Sequence, residues 1–263
     1  MRKGEQSRVV AGLLSLGFVL TACADTDSEK EEEAPKPQKP IAFLDIKNSG
    51  EGSYPGGATP KKGTWKVHKA SNTLRVAVEP LVVSSIEFGP EIREKGSTIL
   101  ATASAPGEGR LQSRFGAGLY GKNGFQLRLQ PVRDEVELVR RGAVLAKVDL
   151  EIEPGASYEM ELSVEAGEAD DSWIVKGRAW PTEGERPEKE MMVHETTSEE
   201  LEFPLAGRPC LVATPFSGEP VAYSRAEVFD GVYGPPAEET EEGASEEKDG
   251  EGSGETAAEP DEE

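Results

Sequence analysis

Apolar and polar residues alternate through the middle of the chain. In residues 73–78, Leu74, Val76 and Val78 fall on one side and Arg75 on the other. Residues 125–130 repeat the pattern, with Arg128 on the polar side. From 144 to 153, Val144, Ala146, Val148, Leu150 and Ile152 oppose Lys147, Asp149, Glu151 and Glu153. Tyr158, Met160, Leu162 and Val164 alternate with Glu159 and Glu161. A period of two is that of a half-buried strand. Turn formers punctuate these runs at Pro106-Gly107, Arg141-Gly142, Pro154-Gly155 and Gly184. Helical periodicity is hard to find beyond the first residues of the chain. Many short strands at regular spacing predict an all-β protein, an antiparallel two-sheet β-sandwich rather than a parallel α/β sheet.

The N-terminal segment follows a different pattern. Arg2, Lys3 and Arg8 precede an uncharged apolar run over residues 9–20. That run is too short for a stable bilayer-spanning helix, which needs about 20 apolar residues, but it suits a removable export signal. It ends in Leu20-Thr21-Ala22-Cys23, which resembles the lipobox of bacterial lipoproteins. The resemblance implies cleavage before Cys23 and lipidation of its thiol, making 1–22 a lipoprotein signal peptide. The partner it implies is a membrane, reached through acyl chains that each contribute about 0.8 kcal/mol per buried methylene. Ala24 follows, so an Asp-type retention signal is absent there. Whether the inner or the outer membrane holds the anchor stays open.

Charge sharpens the division into segments. The chain carries 29 basic and 50 acidic side chains, a balance of −21. Nucleic acid and anionic headgroups carry the same sign and are poor partners for it. Residues 237–263 hold thirteen acids and one lysine with no aromatic or large aliphatic residue. With nothing to bury, this acidic tail is expected to be disordered. Residues 23–40, rich in Glu and Pro, read as a disordered, extended tether. The remaining 41–236 is long enough for one well-buried domain. Its single cysteine, Cys210, permits no internal disulfide once Cys23 is lipidated, and it reads as a small buried residue.

Within the domain, residues 115–120 (Phe-Gly-Ala-Gly-Leu-Tyr), 124–129, 136–139, 153–162, 175–181, 207–212 and 221–228 resemble successive strands of a concanavalin A-like, laminin G-like (LamG-like) jelly roll. The resemblance spans 64–230. It implies two antiparallel sheets with a concave face, in a family many of whose members bind glycans. A fold of this kind hosts many functions, so the chemistry must come from particular residues.

Several residues are candidates. Trp180, Lys176 and Arg178 share one strand face, and with Tyr120 and Arg128 they form the expected binding set, Trp and Tyr stacking on sugar rings. Trp65 and Tyr233 are further aromatic candidates, whereas Trp173 has the parity of the core. Residues 110–147 carry eight basic side chains against Asp134, Glu135 and Glu137, a basic island in an acidic chain. It suits an anionic glycan, an acidic partner, or the chain's own tail. A retaining glycosidase needs two carboxyl groups about 5–5.5 Å apart. Asp149, Glu151 and Glu153 share a face, but Lys147 stands where a first Glu would be expected. No catalytic residue is assigned. His68 and His194 stand in no metal or catalytic motif, and no glycine-rich loop leads from a strand into a helix for nucleotide. No cofactor is expected beyond a structural calcium, for which Asp170, Asp171 and Asp230 are the candidates. The function expected is a membrane-anchored, noncatalytic envelope module binding glycan or protein. A carbohydrate-active hydrolase and a structural envelope lipoprotein are the alternatives.

Overall fold

The computed structural model describes residues 38–79, 82–93, 96–169, 171–216 and 218–234. The signal segment, Cys23, the tether up to residue 37, Asp170 and the acidic tail lie outside the described residues.

Two antiparallel sheets face each other, with strands numbered along the chain. The first sheet runs β14 (Met192–Thr197), β13 (Ser172–Pro181), β12 (Ser157–Ala166), β7 (Ser97–Ser104), β17 (Val221–Asp230), β4 (Thr73–Val76) and β3 (Trp65–His68). A short β1 (Ala42–Phe43) pairs with the end of β17. The second sheet runs β11 (Ala143–Asp149), β10 (Glu135–Arg140), β9 (Phe125–Gln130), β8 (Arg114–Leu119), β16 (Cys210–Thr214), β5 (Ser84–Glu87) and β2 (Thr59–Lys62). A two-residue ladder joins β15 (Ala206–Gly207) to β6 (Ile92–Arg93). The single-turn helix α1 (Ser198–Leu201) starts on a capping box formed by Thr197 and Glu200, which satisfies two orphan amide donors reciprocally.

The predicted alternation places the core. Tyr158, Met160, Leu162 and Val164 of β12 are all buried against Leu127, Leu129, Val136 and Leu138 of the opposite sheet's cluster. Tyr223 crosses between layers. From β17 its hydroxyl donates to Val212 O (2.6 Å) and accepts from Gly116 N (3.2 Å), both in the other sheet. Burial raises the pKa of this phenol, which keeps it a donor.

Two strand expectations are corrected. The run 144–152 does not bury one continuous side: β11 ends at Asp149 and is an edge strand with one neighbour, so Val144 stays exposed and only Ile152 beyond it is fully buried. Likewise β4 stops at Val76, and Val78 is half-buried.

The described chain enters and leaves the sandwich side by side. Gln38 Nε2 donates to Asp230 O (2.6 Å), and Ile41 N donates to Val228 O (2.7 Å). Ser97, opposite Asp230 in the ladder, hydrogen-bonds the Tyr120 side chain, so the loop after β8 belongs to this same end.

Candidate functional site

Strand register assigns side chains to the outer face of the second sheet. One row reads Glu87, Cys210, Gly118, Gln126, Val139 from β5 to β10. The next reads Ser85, Val212, Gly116, Arg128, Glu137, Lys147; beyond it Thr214 pairs with Arg114 on β16 and β8, and Gln130, Glu135 and Asp149 pair across β9 to β11. In both rows β8 contributes a glycine. A Cβ built on Gly116 would lie 2.2 Å from Leu127 O, and one on Gly118 would lie 2.8 Å from Gln126 Cγ. At both positions β9 closes in on the space a side chain would take, and Gln126 and Cys210 fill it beside Gly118.

A groove of about 650 Å³ opens on this face. Its lining includes Ser85, Glu87, Gln126, Arg128, Cys210 and Val212, with Lys61, Lys122 and Arg208 among its basic members and Glu91 as a second acid. The wall beside Tyr120 is held by backbone: Gly121 N donates to Arg208 O (2.9 Å). Arg208 is fixed in turn by Gly89 O (2.8 Å), Thr59 Oγ1 (3.0 Å) and Gly57 O.

Arg128 lies in this groove. Its Nε and Nη2 donate to Gln126 Oε1 (3.0 and 2.6 Å). Burial pulls its pKa down, Glu137 and Cys210 oppose that, and the Arg114 charge adds to it. An arginine stays charged in such a setting, so a partly desolvated cation is held at the groove floor. The carboxylates nearby are engaged by donors. Glu137 accepts from Gln130 Nε2 (2.7 Å) and faces Arg133 Nη1 (3.8 Å); Glu135 pairs with Lys147 (2.5 Å), and Glu87 with Lys61 (3.1 Å). A smaller cavity of about 50 Å³ adjoins the groove, lined by Arg114, Arg128, Val83, Phe115 and residues 212–214.

Cys210, expected to be buried, is 3% exposed on the groove floor. Burial first, and the Glu87 carboxylate second, push its thiol up to about 12. It is an inert packing residue rather than a nucleophile.

The five predicted binding residues do not converge. Arg128 belongs to the groove. Tyr120 underlies it but is fully buried, its phenol pushed up to about 12 by burial, and offers no open ring face. Lys176, Arg178 and Trp180 share a face as expected, but on the other sheet. There residues 182–191 pass over β12 and β13 as a strap. Arg186 grips Glu161 through two hydrogen bonds (2.8 Å each), Arg178 reaches Pro187 O (2.8 Å) and Glu190 (3.1 Å), and Lys176 pairs with Glu165 (3.0 Å). Trp180 is left 6% exposed. Trp65 is core, against Tyr223 at 5.9 Å, and Tyr233 stacks on Phe229 at 4.5 Å. Trp173 is half-buried and borders two clefts of about 570 and 430 Å³.

The basic island disperses. Arg140 and Arg141 are drawn to Leu201 O and Glu202, Lys147 to Glu135, and only Arg128 and Lys122 line the groove. The acidic series is interrupted too: beyond Asp149 the ladder ends, and Glu153 N donates to the Tyr158 hydroxyl (2.8 Å). His68 Nδ1 is hydrogen-bonded with Ser71 Oγ (2.9 Å). Among the described residues no cluster of three or more His, Cys, Asp or Glu is placed to hold a metal ion. Asp171 occupies a left-handed turn position (φ 59°). Sequence reasoning missed Gln126 and Arg208, which line the groove; the polar position of Gln126 beside Arg128 in the alternating run 125–130 was the available signal for the first.

No protein-family model matches the sequence, and no curated protein matches it. Solved structures do share the fold. A single-residue mutant of the Emp46p carbohydrate recognition domain superposes at TM-score 0.54 and 12% identity, over 76% of this chain and 100% of that one. The potassium-bound form of the same domain gives 0.52 at 12% identity, over 73% and 98%. The carbohydrate binding module CBM66 from Bacillus subtilis reaches 0.49 at 12% identity, over 66% and 96%, and carries no weight here. Likeness at this identity establishes the two-sheet fold alone.

Proposed function

We propose that this chain is an exported, lipid-anchored module that binds a glycan, without cleaving it, in the groove of its seven-stranded sheet. One observation carries the binding part: an open groove of about 650 Å³ lined by the polar side chains of Ser85, Glu87, Gln126 and Arg128. Fixed polar groups over a trough fit a ligand of many hydroxyls, each needing a partner. That the similar Emp46p domain bears the name of a carbohydrate recognition domain supports the choice of ligand class. The Leu20–Cys23 motif supports the anchor. Replacing Cys23 by Ala is expected to move the protein from the membrane fraction to the soluble one.

Glu135 and Glu137 favour a second reading, hydrolysis, because they occupy alternate positions of β10 on the groove side. Glu137 accepts from Gln130 Nε2 and Glu135 accepts from Lys147 Nζ through Oε1 while its buried Oε2 has no partner; neither carboxylate is placed against the other as an acid and base pair. A glycan array with residues 24–263, run beside a reducing-sugar release assay, tests both. Binding without release is expected, abolished by Ser85→Trp, which lays an indole across the groove. Binding that survives Ser85→Trp but is lost in Trp173→Ala would move the site to the other clefts. Sugar release abolished by Glu137→Gln would establish the enzyme instead.

A further inference from the structure

We infer that the small cavity between Arg114 and Arg128 is a carboxylate subsite, so that the glycan of the groove is an acidic one bearing uronate groups. The inference rests on the groove reading above and goes further by naming the charge of the ligand.

Arg128 stands opposite Gly116, and Arg114 lies two residues before Gly116 on the same strand, which makes the two arginines diagonal neighbours on one face. Long side chains reach one another at that spacing, and like charges so placed repel. Their mutual effect is felt at Arg128, where Arg114 opposes the charged form. Between them lies a cavity of about 50 Å³ walled by Val83, Val212 and Thr214. Each guanidinium is steadied from outside the cavity. Gln126 holds Arg128 through two hydrogen bonds, and the Phe216 ring lies 5.6 Å beneath the Arg114 carbon. Glu137, the carboxylate whose charge is felt at Arg128, is 5% exposed and already receives Gln130 and Arg133. Two restrained cations around a small, partly apolar hollow repel until an anion sits between them.

Size and shape select the anion. A hollow of this volume admits a planar carboxylate, which arginine grips through paired hydrogen bonds. Val83, Arg128 and Val212 line both the hollow and the groove. A uronate can therefore place its carboxylate in the first while its ring and neighbours lie along the second. The groove offers no open aromatic face among its lining residues, since Tyr120 is buried, so charge takes the part that stacking has elsewhere.

Polygalacturonate and its methyl ester share a backbone and differ in charge, which makes them the probes for residues 24–263. The acid form should bind at least about tenfold more tightly than the ester, with affinity falling as salt rises. Arg128→Gln should cost about tenfold or more and Arg114→Gln several-fold, at unchanged near-UV dichroism; Arg128→Lys, which keeps charge but not the fork, should fall between. Lys189→Gln, on the strap of the other sheet, should change nothing. Equal binding of acid and ester, or an equal loss in Lys189→Gln, overturns the carboxylate subsite and leaves the groove reading intact. Absence of binding to both forms and to every neutral glycan overturns the two together.

Discussion

Cys210 has a chemistry set almost wholly by its neighbours. Its thiol lies beside Gly118, 3.1 Å from where a Cβ would sit, and burial holds it protonated up to about 12. The unfolded thiol ionises near its ordinary value of 9.0. A group whose native pKa is raised binds more protons folded than unfolded between those values, so its stabilising effect is complete below pH 9 and disappears toward about 12. Tyr120, also raised to about 12 by burial, acts in the same direction above 10. Urea denaturation should show stability falling between pH 9 and 12 in the native chain, less steeply in Cys210→Ala. At this scale the sequence was partly readable. The burial of Cys210 and the outward side of Arg128 followed from composition and parity. The burial of Tyr120 did not, because its left-handed backbone (φ 61°) turns it off the strand pattern.

Among elements, the strap of residues 182–191 shows where alternation misleads. Glu161 and Trp180 point outward by parity, and parity alone would leave them in water. Instead Glu161 is 4% exposed under Arg186, and Trp180 is covered beside it. A run of Glu, Arg, Pro and Lys reads as a solvated turn, because sequence does not show that its charges match those on the sheet below. Edge strand β11 errs the other way: its regular alternation predicts burial, but the second sheet ends there and nothing covers Val144. Arg186→Ala strands a buried carboxylate beside Arg178. The cost should be about 1–3 kcal/mol, below that of a fully buried pair because Arg186 is partly exposed. Thermal unfolding should register it, and a red shift of tryptophan emission should report water reaching Trp180.

For the whole molecule, the two-sheet sandwich was legible in the sequence, because repeated alternating runs broken by turn formers admit few other ways of burying their apolar sides. The joint binding site was not. Trp180 and Arg128 belong to opposite layers, and strand order, which sequence spacing does not reveal, separates them. Charge distribution makes the third prediction. Residues 237–263 follow a strand whose end, Asp230, is partnered with Ser97, which in turn contacts Tyr120 at the groove wall. Their thirteen acids carry the sign that Lys122 and Arg128 of the groove attract, so they would compete there with an anionic ligand. Ending the chain at residue 236 should strengthen polygalacturonate binding severalfold at low ionic strength and have little effect at high ionic strength, as isothermal titration in both buffers would show.

The bond from Gln38 to Asp230 has a mechanical consequence. Both ends of the described chain meet the folded body at one end of the sandwich. Were Cys23 anchored as proposed, the opposite rim, where Gly155 N donates to Ala105 O and Phe216 N to Ser113 Oγ, would be the end left clear to meet a partner.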